Sequence, residues 1–341
     1  MKFSIFSVLD HYENGARSLN ALYREFLDQV EYAEQLGFDA YWLGEHHFYP
    51  TPGHTLACPN PAIALAAAAQ RTQRIGLNTA VANLALRHPL QLAEDYAMVD
   101  VLSQGRLGLG IGRGTFDHEY AAFGQSRAES RERFEESWEI IQRAWRGESV
   151  TFQGRYYQID GAKINIVPVQ QPLPRYWFSA IREESFALLG RAARPVISLP
   201  HLAADSFQTL VKLATAYRQN YLVAGGNANQ YELPLIFYTC VAPTRTEAQR
   251  VAVAALQRYL IHQHHGASSH IDEVVHLFAE RQQLWFGTPD DLVQFIEQYQ
   301  TRISSEHFVF WLDFGGMQPE CVRRSMQLLA QEVIPHFRET G

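Results

Sequence analysis

Two hydrophobic periods take turns along the chain. Short runs rich in β-branched and aromatic residues give way to longer stretches with apolar residues three and four apart, the pattern of strands alternating with amphipathic helices. Residues 3–9 read as a first strand. After them Leu22, Phe26, Val30 and Ala33 mark one face of a helix that stops at Gly37. A second strand is predicted over 38–43, an apolar helix over about 61–69 and a third strand over 75–81. Pro89 suits the first position of a helix bearing Leu92, Tyr96, Val99 and Leu102 and closing at Gly105. A fourth strand over 106–111 precedes a helix over about 131–145.

The alternation breaks between about 149 and 174, where Thr151-Phe-Gln-Gly-Arg-Tyr-Tyr-Gln158 and a proline-rich stretch read as a hairpin insertion on a barrel loop. It resumes with strands over 176–179, 195–199, 233–241 and 307–314. Thr244 with Glu247, and Thr288 with Pro289 and Asp291, have capping-box spacing. Val322, Met326, Leu329, Val333 and Phe337 mark the last helix. Eight strands and eight principal helices predict a closed (β/α)8 TIM barrel, one domain over 1–341, in preference to an open doubly wound sheet. A long mobile segment is expected beyond the seventh strand.

Charge narrows the partners. The net charge is −7 with Lys and Arg scattered singly, so no basic stripe serves a nucleic-acid backbone or an anionic membrane surface, and a small organic molecule is the expected partner. No run approaches the roughly 18 apolar residues of a membrane span, and the first ten residues read as a strand rather than a secretory signal. Three cysteines, Cys58, Cys240 and Cys321, lack metal-ligand spacing and fit a reduced cytoplasmic protein.

In such a barrel the functional groups stand where strands end. Trp42-Leu-Gly-Glu45-His46-His47-Phe48 ends the second strand with a carboxylate and two imidazoles. These suit proton transfer or metal binding, or they satisfy loop amides and nothing more. Gly108-Leu-Gly-Ile-Gly-Arg-Gly114 puts Arg113 beyond the fourth strand, in a run whose backbone can approach a ligand closely and whose guanidinium fork suits a phosphate. Its spacing is not the dinucleotide fingerprint. Ser179-Ala-Ile-Arg-Glu-Glu-Ser185 opens a helix whose free amides, with Ser185, suit an anion. His262, His264, His265, His270 and His276 cluster late in the chain and raise a metal-dependent hydrolase as a competitor. Without His-x-His at a strand end, they read as a solvated loop, and no metal site is assigned.

Several motifs taken together resemble the catalytic α subunit of bacterial luciferase and the wider luciferase-like monooxygenases. They are Gly37-Phe-Asp-Ala-Tyr-Trp-Leu-Gly-Glu-His-His-Phe48, His88-Pro89 with Ala93-Glu-Asp95, Ser103-Gln-Gly-Arg106, and Gly110-Ile-Gly-Arg-Gly114 with Phe123-Gly124. Fainter likeness runs through Ser130-Arg131, the stretch 165–174, Gly287-Thr-Pro289 and the last helix. The resemblance implies a barrel that holds reduced FMN, supplied by a separate flavin reductase. The flavin reacts with molecular oxygen to a hydroperoxide that oxygenates a small organic substrate, an aldehyde among the candidates.

Residue by residue, His46 matches the family's catalytic histidine, flanked by Glu45 and His47. Arg113 and Arg131 match phosphate-binding arginines; Ser185 and the backbone at Ile181 and Arg182 match the phosphate grip at the fifth helix. A non-proline cis peptide is implied at Ala80-Val81, beside the flavin ring. A homodimer is implied through N-terminal-half helices, where the stretch 64–69 is rich in alanine. Where luciferase has a reactive cysteine this chain has Gly112, so a roomier pocket is expected; Ala180 replaces the family's acidic residue. Two alternatives stand: hydride transfer with a 5-deazaflavin, and a non-catalytic flavin-binding partner subunit.

Overall fold

Each β-rich run of the sequence becomes a parallel strand because the helix after it returns the chain to the same end of the sheet. The computed structural model describes residues 1–13, 17–263 and 271–338. Its eight principal strands are β1 (Lys2–Ser7), β2 (Ala40–Leu43), β3 (Gly76–Asn83), β4 (Leu107–Gly112), β5 (Arg175–Ser179), β6 (Val196–Ile197), β7 (Leu235–Val241) and β8 (His307–Trp311). Neighbours in sequence pair in parallel, and β8 pairs with β1, with Phe3 opposite Phe308. Ser198, just past β6, bridges Leu235 at the start of β7, which closes the row. The TIM barrel expected from the alternation is the fold observed.

The local signals explain the helices. Ser18 Oγ accepts from the Ala21 amide at 3.2 Å and opens the helix Leu19–Gln35, whose buried residues are Leu22, Phe26, Val30 and Ala33. Gly37 follows with φ +82°, a conformation other residues adopt at a cost. Pro61 and Pro89 are the first residues of their helices, and Thr288 with Asp291 forms a reciprocal capping box. The Thr244 box is only half made. Thr244 Oγ1 accepts from the Glu247 amide, while the Glu247 carboxylate turns to Arg324 at 2.7 Å.

The insertion is an antiparallel hairpin, Val150–Gln153 with Gln158–Ala162. Its return is anchored by the buried Asp100 carboxylate, which accepts from the amides of Val169 and Gln170 at 2.8 and 3.0 Å.

Two features depart from the sequence expectation. A ninth parallel strand, Leu284–Gly287, pairs with the upper half of β7, where two-residue β6 is too short to reach. The histidine-bearing segment beyond the helix after β7, expected to be a loop, is helical where described: His262 lies in the last turn of Arg245–Gln263, and Ile271–Glu280 carries His276, paired with Glu280 at 3.0 Å. His264, His265 and His270 lie outside the described residues.

β4 has its own logic. A β-carbon on Gly110 would collide with the Thr79 carbonyl oxygen, and one on Gly108 with Asn78. The alternating glycines therefore bring β4 against β3, and it is this strand, rather than a ligand, that the bare backbone approaches. No helix among the described residues is long and apolar enough to cross a membrane.

Candidate active site

The strand ends and the loops beyond them enclose a cavity of about 750 Å³, within the span of roughly 300–1,000 Å³ usual for small-molecule sites. Arg113 and Arg131 line it, as do Arg182, Ile181 and Ser185 from the start of the helix Glu183–Arg191. Arg127 joins them. Glu45, His46 and the pair Ala80 and Val81 line it from β2 and β3, and the Ala80–Val81 peptide is cis. His47 does not line the cavity.

His46 lies just beyond β2, with its backbone amide held by the Cys58 carbonyl at 3.2 Å. Its side chain is part-exposed to the cavity, and Nδ1 lies 3.6 Å from Oε1 of Glu119. Glu119 is buried on the short helix Asp117–Ala122, and its Oε1 accepts from the His47 amide at 2.8 Å. His46 Nδ1 and Glu119 Oε2 are buried without a hydrogen-bond partner. This places a carboxylate behind the imidazole, an arrangement that favours a proton on Nδ1 and directs Nε2 elsewhere.

Glu45 has a different task. Its Oε1 lies 2.9 Å from His47 Nε2, and Oε2 accepts from the Asn83 amide at 3.1 Å, so both oxygens are engaged. His47 rests edge-on against Phe123, with ring centroids 5.0 Å apart. The triplet thus divides into one imidazole facing the cavity and a buried pair supporting the loop.

The other end of the cavity is cationic. Arg113 is accessible through it, yet burial lowers its pKa, and the charges of Arg131, Arg127 and Arg182 lower it further. Its Nη1 donates to Ser130 Oγ at a long 3.4 Å, while its carbonyl accepts from the Tyr120 hydroxyl. Arg127 faces Asp117 at 3.3 Å; among the described residues Arg113, Arg131 and Arg182 show no ion pair. Like charges held this close repel one another until an anion arrives. The first-turn amides at Arg182 receive no side-chain cap and point the same preference at a phosphate.

The expected extra room at Gly112 is absent, because a β-carbon there would lie 2.5 Å from Val81 Cγ2. Ala180 is buried, and its carbonyl accepts from Ser198 Oγ at 2.6 Å, which makes it part of the wall between β5 and β6. No group of three or more His, Cys, Asp or Glu among the described residues has the geometry to hold a metal.

Sequence reasoning missed Glu119, which sits on no periodic face, and it missed Phe6, His201, Tyr238, Tyr259 and Trp311, which form the opposite wall. Of these, Phe6 and Trp311 stand at or next to strand ends and His201 lies just beyond β6, the signal that could have found them; Tyr238 sits in the middle of β7.

Residues 1–305 match the model of the luciferase-like monooxygenase family, and the chain belongs to that family. The chain is similar to the oxygenase component of flavin-dependent trigonelline monooxygenase from Acinetobacter baylyi, at 26% identity over 100% of this chain and 96% of that protein. The crystal structure of monooxygenase RslO1 from Streptomyces bottropensis superposes with a TM-score of 0.88 at 28% identity, covering 99% of this chain and 100% of that one. An F420-dependent glucose-6-phosphate dehydrogenase from Amycolatopsis mediterranei is 36% identical over 44% of this chain and 46% of its own length.

Proposed function

We propose that the chain is an FMN-dependent monooxygenase. It takes reduced FMN from a separate flavin reductase and uses molecular oxygen to oxygenate a small organic substrate. The observation that carries this is one cavity with His46 on one side and, on another, a cluster of arginines of which Arg113, Arg131 and Arg182 show no ion pair among the described residues. The likeness to a flavin-dependent oxygenase component over the full chain supports the separate reductase.

The residues fit the cofactor. Arg113, Arg131 and Arg182 would take the phosphate, whose charge relieves their mutual repulsion, with Ser185 and the amides at Ile181 and Arg182 completing the grip. Ala80 and Val81 would wall the ring. Reduced FMN, when bound, supplies the two electrons that oxygen activation requires. The Glu119 carboxylate, 3.6 Å from Nδ1 of His46, would favour the tautomer with its proton there, so that Nε2 accepts or delivers a proton at the ring end of the cavity. Glu45 and His47 keep that loop in place rather than exchanging protons themselves. Phe6, Val8 and the aromatic wall exclude water.

The free state of Cys58, Cys240 and Cys321 supports a reducing, cytoplasmic setting. The outward Ile63, Met98 and Leu102, 71%, 51% and 43% exposed, support a homodimer through these N-terminal-half helices. A competing reading, hydride transfer with a deazaflavin, draws on the partial likeness to the F420-dependent dehydrogenase.

Oxygen electrode measurements with FMN, NADH and a flavin reductase separate the two. Substrate-dependent oxygen uptake is expected, together with FMN binding retained but turnover lost in His46→Ala. Unchanged turnover in that variant, or product formed under anaerobic conditions, overturns the proposal.

A further inference from the structure

The cavity is asymmetric. Its arginines come from the β4 and β5 side, whereas the wall contributed by β6, β7, β8 and β1 is Leu199, His201, Tyr238, Tyr259, Trp311 and Phe6, with no permanent charge. These rings hold one another rigidly. Trp311 stacks on Tyr238 with centroids 4.6 Å apart, while Phe6 and Tyr259 meet Trp311 edge-on at 5.0 and 5.3 Å. Tyr238, Tyr259 and Trp311 are all buried.

His201 and Tyr238 interrupt this wall, beside the Tyr259 hydroxyl and the Trp311 Nε1. His201 stands on the short helix after β6, with Nε2 3.5 Å from the Tyr238 hydroxyl, at the outer limit of a hydrogen bond. The Tyr238 hydroxyl also hydrogen-bonds Tyr259, yet with one donor and two lone pairs against two neighbours it keeps capacity for a third partner, as does His201. Burial holds the His201 imidazole down to about 3 and lifts the Tyr238 phenol, so each stays neutral near pH 7 and offers a donor or an acceptor without charge.

We infer that this wall is the substrate subsite and selects an uncharged, flat, ring-bearing molecule whose hydroxyl or carbonyl oxygen is received between His201 and Tyr238. The inference rests on the flavin reading for the chemistry, but its recognition argument stands on the wall alone. Locked rings offer edge-to-face contacts to a planar partner, whereas a flexible alkyl chain loses rotational freedom on entering. An ionised substrate meets no counter-charge on this side and would enter desolvated and unpaired.

Equilibrium dialysis at pH 7, with and without saturating FMN, tests this with four probes: 2-naphthol, naphthalene, 2-naphthoate and decanal. Decanal matches 2-naphthol in carbon and oxygen count. 2-Naphthol is expected to bind at least tenfold more tightly than decanal or 2-naphthoate. His201→Ala and Tyr238→Phe are each expected to reduce the preference for 2-naphthol over naphthalene by about threefold or more. Tyr238→Phe keeps the ring, and FMN titration of every variant reports whether the fold is intact. With FMN saturating, equal or tighter binding of decanal or 2-naphthoate, or a 2-naphthol preference unchanged in both variants, overturns the subsite. Loss of FMN binding with the ring preference intact would instead sink the flavin reading alone.

Discussion

Replacing Arg113 by Ala is the sharpest test of the cationic end of the cavity. The guanidinium commits one long contact to Ser130 and shows no carboxylate partner among the described residues, so most of its donors are available to a ligand. A hydrogen bond to a charged group contributes about 1.5–3 kcal/mol net, which converts to roughly 10- to 150-fold in affinity. The FMN dissociation constant should rise by that factor. Arg127, Arg131 and Arg182 remain, which keeps the loss from being total. They also repel Arg113, lowering its pKa beyond what burial does, so the free protein should melt no earlier without it.

Riboflavin is the control. It has the same ring and no phosphate, and its affinity should stay within about twofold, because the lost interaction is with the phosphate alone. Arg113→Lys should fall between, since it keeps the charge but not the planar fork. Quenching of flavin fluorescence measures all three at 0.05 and 0.3 M salt, with the steeper salt dependence expected for FMN on the unsubstituted protein. Equal weakening of riboflavin and FMN, or no change in FMN, refutes the phosphate assignment.

Two further outcomes follow from buried carboxylates. Glu119→Gln keeps an acceptor for the His47 amide but removes the charge behind His46; kcat should fall about 10- to 100-fold with FMN affinity unchanged, and a parallel loss of FMN affinity would mean a merely structural role. Asp313 is the second. Burial raises its carboxyl to about 6 from 3.8, against the pull of the Ser7 hydrogen bond. The folded state thus holds the proton to higher pH than the unfolded chain, favouring folding at acid pH and losing that stabilisation as pH rises through 6. The loss is about 3 kcal/mol by linkage. Asp313→Asn should flatten the pH dependence of Tm between 4 and 8; superimposable curves would refute this.

What the sequence disclosed depended on how local the cause was. Leu22, Phe26, Val30 and Ala33 were legible because spacing alone puts them on one helix face, and all four are buried. Pro61, Pro89 and Gly37 mark boundaries for reasons internal to the backbone. The strand Leu284–Gly287 escaped because four residues set no period, and its pairing exists only where β6 stops short. In the site, strand-end placement drew attention to both His46 and Arg113, which are 67 positions apart, but adjacency could not tell which imidazole of the pair faces inward. Glu119 reaches His46 across two loops, a relation that no one-dimensional pattern encodes.

The glycines of β4 have a bearing on how this protein could acquire new substrates. Where Gly110 meets the Thr79 carbonyl and Gly112 meets Val81, there is no slack for a side chain, so directed evolution that randomises this seam should return mostly unfolded variants. Diversity is better sought across the barrel, at Leu199, His201 and Leu202, where side chains rather than main chain define the boundary. A library built on that side would explore selectivity while leaving the proposed flavin cradle untouched.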